Sequence, residues 1–312
     1  MKTPWREKVL LGILRGTGAG YAALPRSARG LFARGLGWSL RVIGTRAPIV
    51  RQNLDIAFPG ENATERALRG RLFKEAYRHI GHLTFEILQV LGDLKGYCER
   101  NGELRGHENW KRASDLGRGA IFLSSHVGNW ELMAALGALS GMDLMLVTKK
   151  LKPTSLHAAI EAGRLTCGVT GTYEPRTLRD VLAHLKRGGT VGLILDQYAG
   201  PPIGVRVPVF GVPVGTASTV AAIAKRTGAP VVPVVNYRTS DGRIIVDIQP
   251  ALNWITDTDV QRELAVNTAR YAEVLEQHIR QHPGQWLWIH RRFKGDLSPL
   301  REGEWSEGRA RH

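Results

Sequence analysis

The run at residues 119–139, GAIFLSSHVGNWELMAALGAL, narrows the possible folds more than any other part of the chain. Its first seven residues suit a buried strand, and a glycine-containing turn follows Ser125 and His126. From Asn129 onward the apolar positions take helical spacing. His126 therefore falls at the carboxyl end of a strand, the edge where α/β sheets bind ligands. Asn129 is placed to cap the helix, with Glu131 in its first turn, where a carboxylate suits the macrodipole. Across a tight turn, the spacing from His126 to Glu131 can bring imidazole and carboxylate within hydrogen-bond reach. That contact fixes a tautomer and stabilises an imidazolium. On spacing alone, a general-base dyad and an unreactive pair of neighbours both fit.

Further along, strands expected at 144–148, near 169, and at 191–195, 231–237 and 244–248 alternate with helices expected at 153–166, 177–186, 216–226 and 257–281. The order predicts an α/β fold with a mixed central sheet covered by helices on both faces. Upstream, apolar residues at roughly helical spacing predict a helix over 63–91. Its His79, His82 and Glu86 suggest a metal at first sight, but most exposed or half-buried histidines in such a helix bind nothing, and they read as structural. Residues 200–215 carry Pro201, Pro202, Pro208 and Pro213, and read either as a rigid wall of a cleft or as a constrained connection.

Charge limits the partners. With 43 Lys+Arg against 28 Asp+Glu, the 312-residue chain carries a formal +15 and should be drawn to nucleic acid, acidic lipid or an acidic carrier protein. Two cysteines, Cys98 and Cys167, without a CxxC or Cys/His cluster, suggest neither a disulfide framework nor a zinc site. The positive charge is one-sided: residues 1–51 hold ten Lys/Arg and a single acid, Glu7, interleaved with Trp5, Leu10, Ile13, Phe32, Trp38 and Ile43. No apolar run there is long enough to span a bilayer, since Arg15, Arg34 and Arg41 interrupt it. Two helices over 1–47, joined near Pro25 and ended by Pro48, form an amphipathic arm. It either lies on an anionic membrane or packs on the core with its arginines solvated.

HVGNWE is an HX4E motif, and it resembles the HX4(D/E) box of the lysophospholipid acyltransferase superfamily, specifically the bacterial lipid A biosynthesis (late) acyltransferase family. GGTVGLILDQ at 188–197, VPVFGVPVGTAST at 207–219, QWLWIHRRFK at 285–294 and the run from Arg51 through Asn53 and Leu54 to Phe58 and Pro59 agree with that family in order and distance. The resemblance implies a glycerolipid acyltransferase-like fold at 48–300 behind the arm, with a polar tail at 301–312. It implies transfer of a fatty acyl chain to a lipid A precursor or similar phosphorylated glycolipid, with acyl carrier protein or acyl-CoA as co-substrate and no other cofactor. A bacterial inner membrane, cytoplasmic face, would be the location. His126 would be the general base and Glu131 its orienting partner. Arg164 would contact the acidic head of the acceptor, and Asn129, Asp196 and Gln197 would line the cleft.

Residue by residue, the plainer readings stand beside these. Arg164 could be a solvated helix-face arginine and Asp196 a loop cap. Asp196, like His126, ends a buried strand, so the two should open on one edge of the sheet. Ser125 is poorly placed as a nucleophile for its neighbour His126, and there is no GxSxG elbow or phosphate-binding loop. Trp286, Trp288, His290, Arg291, Arg292 and Lys294 suit a membrane interface or a single-stranded nucleic acid, but no nucleic-acid motif accompanies them. A nucleic-acid binder, a non-catalytic membrane scaffold, and an acyltransferase using a mannosylated phosphoinositide or a lysophospholipid are the alternatives.

Overall fold

The computed structural model describes residues 5–300. Its centre is a seven-stranded mixed sheet of β1 (Gly102–Arg105), β2 (Ala120–Ser124), β3 (Leu144–Val147), β4 (Val169–Thr172), β5 (Thr190–Ile194), β8 (Val231–Arg238) and β9 (Ile244–Ile248). The spatial order is β1-β9-β8-β2-β5-β3-β4, and every neighbouring pair is parallel except β8 with β9. Strand β2 is buried along its whole length because it lies between β5 and β8 and is covered on both faces. Side chains alternate across it. Ala120 and Phe122 pack with α4 (Ala63–Asn101) and α6 (Trp130–Leu139), while Ile121 and Leu123 pack with α8 (Thr177–Lys186), α9 (Thr219–Thr227) and α10 (Val260–Gln281). This α/β architecture with a mixed sheet is the one the alternating pattern predicts.

Four features differ from the sequence expectations. Pro48 does not end the second arm helix: α2 (Arg26–Ile43) closes on Gly44 at φ 77°, and Pro48 lies in the first turn of α3 (Ala47–Ala57). Proline is tolerated there because the first-turn N–H groups have no intrahelical partner anyway. The proline-rich segment after β5 folds as an antiparallel hairpin, β6 (Gly204–Val209) with β7 (Val212–Ala217), in which Pro208 faces Pro213. Two prolines can share a two-stranded ribbon because each strand has a free outer edge that needs no N–H donor. The helix expected over 63–91 runs on to Asn101 through a non-helical Asp93. Strand β1 and helix α5 (His107–Ser114) were not expected at all. The tail at 301–312 lies outside the described residues.

Helices α1 (Trp5–Ala23) and α2 lie along α4, and small residues let the backbones touch. A methyl group on Gly18 would strike the Leu88 carbonyl, one on Gly37 the Tyr77 carbonyl, and one on Gly81 the Ala33 carbonyl. Tyr21 also stacks on Phe85, with ring centroids 4.2 Å apart. The arm is therefore packed on the core along one side. Its other side leaves Trp5, Leu10, Ile13, Leu31, Phe32, Trp38 and Ile43 exposed. Among the described residues, no helix is long and apolar enough to cross a membrane.

Candidate active site

Parallel pairing of β2 with β5 aligns Ser124 with Ile194. Carried two residues past the strand ends, the same register brings His126 opposite Asp196. His126 Nδ1 lies 2.7 Å from Asp196 Oδ1, and the His126 backbone N–H donates to Oδ2 at 2.7 Å. The indole N–H of Trp286 donates to the same Oδ2, also at 2.7 Å. Asp196 thus accepts from three directions while buried. Burial would raise its pKa, but His126 and these hydrogen bonds outweigh that and hold the carboxyl down at about 2. Burial likewise acts to lower the His126 pKa, and the adjacent carboxylate reverses it to a net upward shift.

An ionised carboxylate can only accept, so Nδ1 carries the proton and Nε2 presents its lone pair. That nitrogen lies 3.4 Å from Gln197 Nε2, which is also 3.3 Å from His290 Nε2. Gln197 and His290 line a cavity of about 650 Å³ together with Tyr198, Arg46, Arg291 and Lys294. Trp130 contacts the His126 ring edge-on at 4.8 Å. Burial, followed by the charge of His126, lowers the His290 pKa.

Glu131 is engaged elsewhere. Arg164, on α7 (Thr154–Thr166), grips it with two parallel bonds, Nε to Oε2 at 2.9 Å and Nη2 to Oε1 at 2.7 Å, and gives Nη1 to Glu161 at 2.7 Å. Both partners are buried. The expected Glu131–His126 contact is therefore replaced by Asp196–His126, and the expected exposure of Arg164 to a substrate head by an internal ion pair. The cause is the direction of α6. Asn129 is fully buried, and its side-chain oxygen accepts from the backbone N–H groups of Glu131 and Leu132. Its own backbone N–H donates to the side chain of Asn236. Pinned in this way, α6 directs Glu131 toward α7. Asn129 acts as a cap whose amide also donates to Glu86 at 3.1 Å, and it does not line the reacting cavity.

Sequence reasoning names Asn53, Trp286 and Arg292 but not their part in bracing this edge. Buried Arg292 donates to the carbonyls of Gln197 and Gly215 and to the Thr216 hydroxyl, and burial pushes its pKa down to about 10. Asn53 on α3 donates to the carbonyls of Trp288 and His290, both at 2.7 Å. The Leu287 N–H donates to the His126 carbonyl at 3.1 Å. The aromatic 285–294 segment is thus a strap across the site, with Trp286 and Trp288 buried and unable to serve as interface anchors. The same motif read as a buried wall instead of a surface would have pointed here.

The raised histidine sets a pH dependence. Nε2 is a base only while His126 is neutral, so acyl transfer should fall on the acid side along a limb whose midpoint lies above the ordinary histidine value of 6.5. For stability the signs are opposite. The histidine contribution is present below 6.5 and lost as pH rises through its raised pKa, whereas that of Asp196 is present above 3.8 and lost as pH falls toward about 2. A pH–rate profile with the acid midpoint at or below 6.5 would contradict the pairing.

An α/β sheet with a carboxylate-paired histidine at its carboxyl edge, beside a basic cavity, has the groups that general-base catalysis uses in transferases and hydrolases. Residues 8–295 match the sequence model of the bacterial lipid A biosynthesis acyltransferases, and the chain belongs to that family and is an acyltransferase. It is 26% identical over 253 residues to the lipid A biosynthesis palmitoleoyltransferase of Escherichia coli (strain K12), covering 80% of this chain and 79% of that one. It is 26% identical over 259 residues to the lipid A biosynthesis lauroyltransferase of the same organism, covering 82% and 81%. It is also 25% identical over 240 residues to the phosphatidylinositol mannoside acyltransferase of Mycobacterium tuberculosis (strain ATCC 25618 / H37Rv), covering 75% and 71%.

Proposed function

We propose that this acyltransferase moves a fatty acyl chain from a thioester, on acyl carrier protein or coenzyme A, to a hydroxyl of a phosphate-bearing glycolipid such as a lipid A precursor. The observation that carries the reading is the His126 imidazole, bound through Nδ1 to buried Asp196, with Nε2 3.4 Å from Gln197, which lines the basic cavity. Nε2 takes the hydroxyl proton as the oxygen attacks the thioester carbonyl, and Asp196 stabilises the imidazolium. The tetrahedral adduct collapses by breaking the carbon–sulfur bond, and the imidazolium returns the proton to the departing thiolate. The thioester is already activated, so no acyl-enzyme is required. The Gln197 amide, whose Nε2 lies 3.4 Å from the reacting nitrogen, can donate to the oxyanion.

Arg46, Arg291 and Lys294 at the cavity give positive charge where the phosphate of a phosphopantetheine arm would lie. The acceptor class rests on the names of the relatives, a lipid A biosynthesis palmitoleoyltransferase and a phosphatidylinositol mannoside acyltransferase. Peripheral attachment to the cytoplasmic face of a bacterial inner membrane fits the exposed apolar side of α1 and α2 together with the seven basic residues of these two helices.

The test is reconstitution of the full chain with acyl carrier protein or CoA thioesters and, in parallel, a lipid A precursor and a phosphatidylinositol mannoside, read by mass spectrometry. An acylated glycolipid should form with wild type, and His126→Ala should lose about 10²–10⁴-fold in rate. Folded wild type that acylated neither acceptor from either donor, or an undiminished His126→Ala rate, would overturn the proposal.

A further inference from the structure

An open cleft of about 920 Å³, which shares no lining residue with the cavity at Gln197 and His290, runs between α2, α4 and the end of β8. Five arginines line it, Arg26, Arg29, Arg34, Arg78 and Arg238, against three acids. The acids are already committed. Glu86 accepts from Arg238 and Asn129, Glu75 sits 4.0 Å from Arg78, and Asp241 is held by Thr239 and Arg243. Positive charge in the cleft therefore exceeds what the chain itself neutralises.

Three buried polar atoms in this cleft have no hydrogen-bond partner: Arg29 Nε, His79 Nε2 and Arg238 Nη2. All three are donors. His79 is 3% exposed, and its Nδ1 lies 3.3 Å from Arg238 Nη1, a group that can only donate. Nδ1 is thus the acceptor and Nε2 bears the remaining hydrogen. Burial, followed by the Arg238 charge, lowers the pKa of both His79 and His82, that of His82 to about 4. Unpaired buried donors are costly and uncommon. A group with several acceptor oxygens and negative charge is the kind of partner such donors take.

We propose that this cleft is a second anion site that takes the phosphate group of an anionic membrane lipid, separate from the cavity in front of His126. Two observations favour a lipid as the source. Leu31 and Phe32, 64% and 55% exposed, lie on α2 between Arg29 and Arg34, so acyl chains attached to a phosphate in the cleft would meet an apolar surface. The arm that forms one wall also carries the exposed apolar side. The site is tied to the chemistry through Glu86, which holds Asn129 at the α6 cap, and through Gln285. The Gln285 side chain pairs with the Arg238 backbone, and its carbonyl accepts from the Gly128 N–H. None of this depends on the identity of the acceptor proposed above.

The test uses the full chain and follows the ring-nitrogen resonances of His79 and His82 on addition of three probes. These are phosphatidylcholine nanodiscs, the same discs containing phosphatidic acid, and inorganic phosphate. Phosphatidic acid discs should shift both histidines and phosphatidylcholine discs should not. Arg29→Gln with Arg34→Gln should weaken binding of phosphatidic acid discs by about tenfold or more, the scale of one lost charge-assisted hydrogen bond. Arg6→Gln with Lys8→Gln, which removes the same charge from α1 away from the cleft, should weaken it by clearly less. Unmoved histidines, or equal losses in the two double variants, would reduce the cleft to general surface electrostatics and overturn the proposal. Shifts with inorganic phosphate but not with phosphatidic acid discs would overturn the lipid source.

Discussion

Asp196→Asn should lower the acyl-transfer rate constant by about 10²–10⁴-fold while leaving the protein folded. Hydrogen-bond direction is the reason. Asp196 Oδ2 receives two donors, the His126 backbone N–H and the Trp286 indole N–H, and Oδ1 faces His126 Nδ1. An asparagine must point its oxygen at the two fixed donors, which leaves its NH2 facing Nδ1. The imidazole would then accept at Nδ1 and carry its proton on Nε2, the tautomer that cannot act as a base toward the hydroxyl. Loss of the negative charge removes imidazolium stabilisation as well. The acid limb of residual activity should also move to lower pH, because the group that raises the His126 pKa is gone. Steady-state kinetics with thermal melts of the purified variant decide the matter, and a loss smaller than tenfold in folded protein would sink the dyad.

The ease with which the sequence showed the position of His126, and the difficulty of seeing its partner, have one physical origin. Strand β2 is a short continuous apolar run, and the change of period after Asn129 marks its end from local residues alone. The partner is set by register between two strands seventy residues apart, and nothing near His126 encodes that pairing. Asp196 was visible as the polar end of another buried strand, which places both groups on one edge but does not say which carboxylate meets the imidazole. Glu131 was nearer in sequence, yet a helix start has a direction as well as a position. That direction is fixed by Asn236 from β8 and Glu86 from α4, both distant in the chain. The hairpin of β6 and β7 was hidden for a related reason, since prolines argue against a strand except where a free edge exists. The cleft at Arg238 could not be foreseen, because its donors come from α2, α4 and β8.

Glu131→Gln should act chiefly on stability, lowering the unfolding free energy by about 3 kcal/mol, the lower end of the range for breaking a buried ion pair. The lower end applies because Glu161 stays on Arg164 at 2.7 Å and still offsets part of its charge. Arg164→Met combined with Glu131→Gln should recover much of the loss, since the buried guanidinium that lacked its counter-charge is then gone, and the double-mutant cycle should show strong coupling. The pH profile separates this role from base catalysis. If the carboxylate of His126 is Asp196, the activity remaining in Glu131→Gln should keep the wild-type acid limb, whatever its amplitude, whereas Asp196→Asn shifts it. Chemical denaturation and a pH–rate profile on the same samples provide the comparison. An unchanged denaturation midpoint together with a displaced acid limb would return Glu131 to the side of His126. A lowered midpoint with an unmoved limb makes the HX4E glutamate the residue that anchors α6 to α7 and keeps the cap at Asn129, and with it the His126 loop, in place.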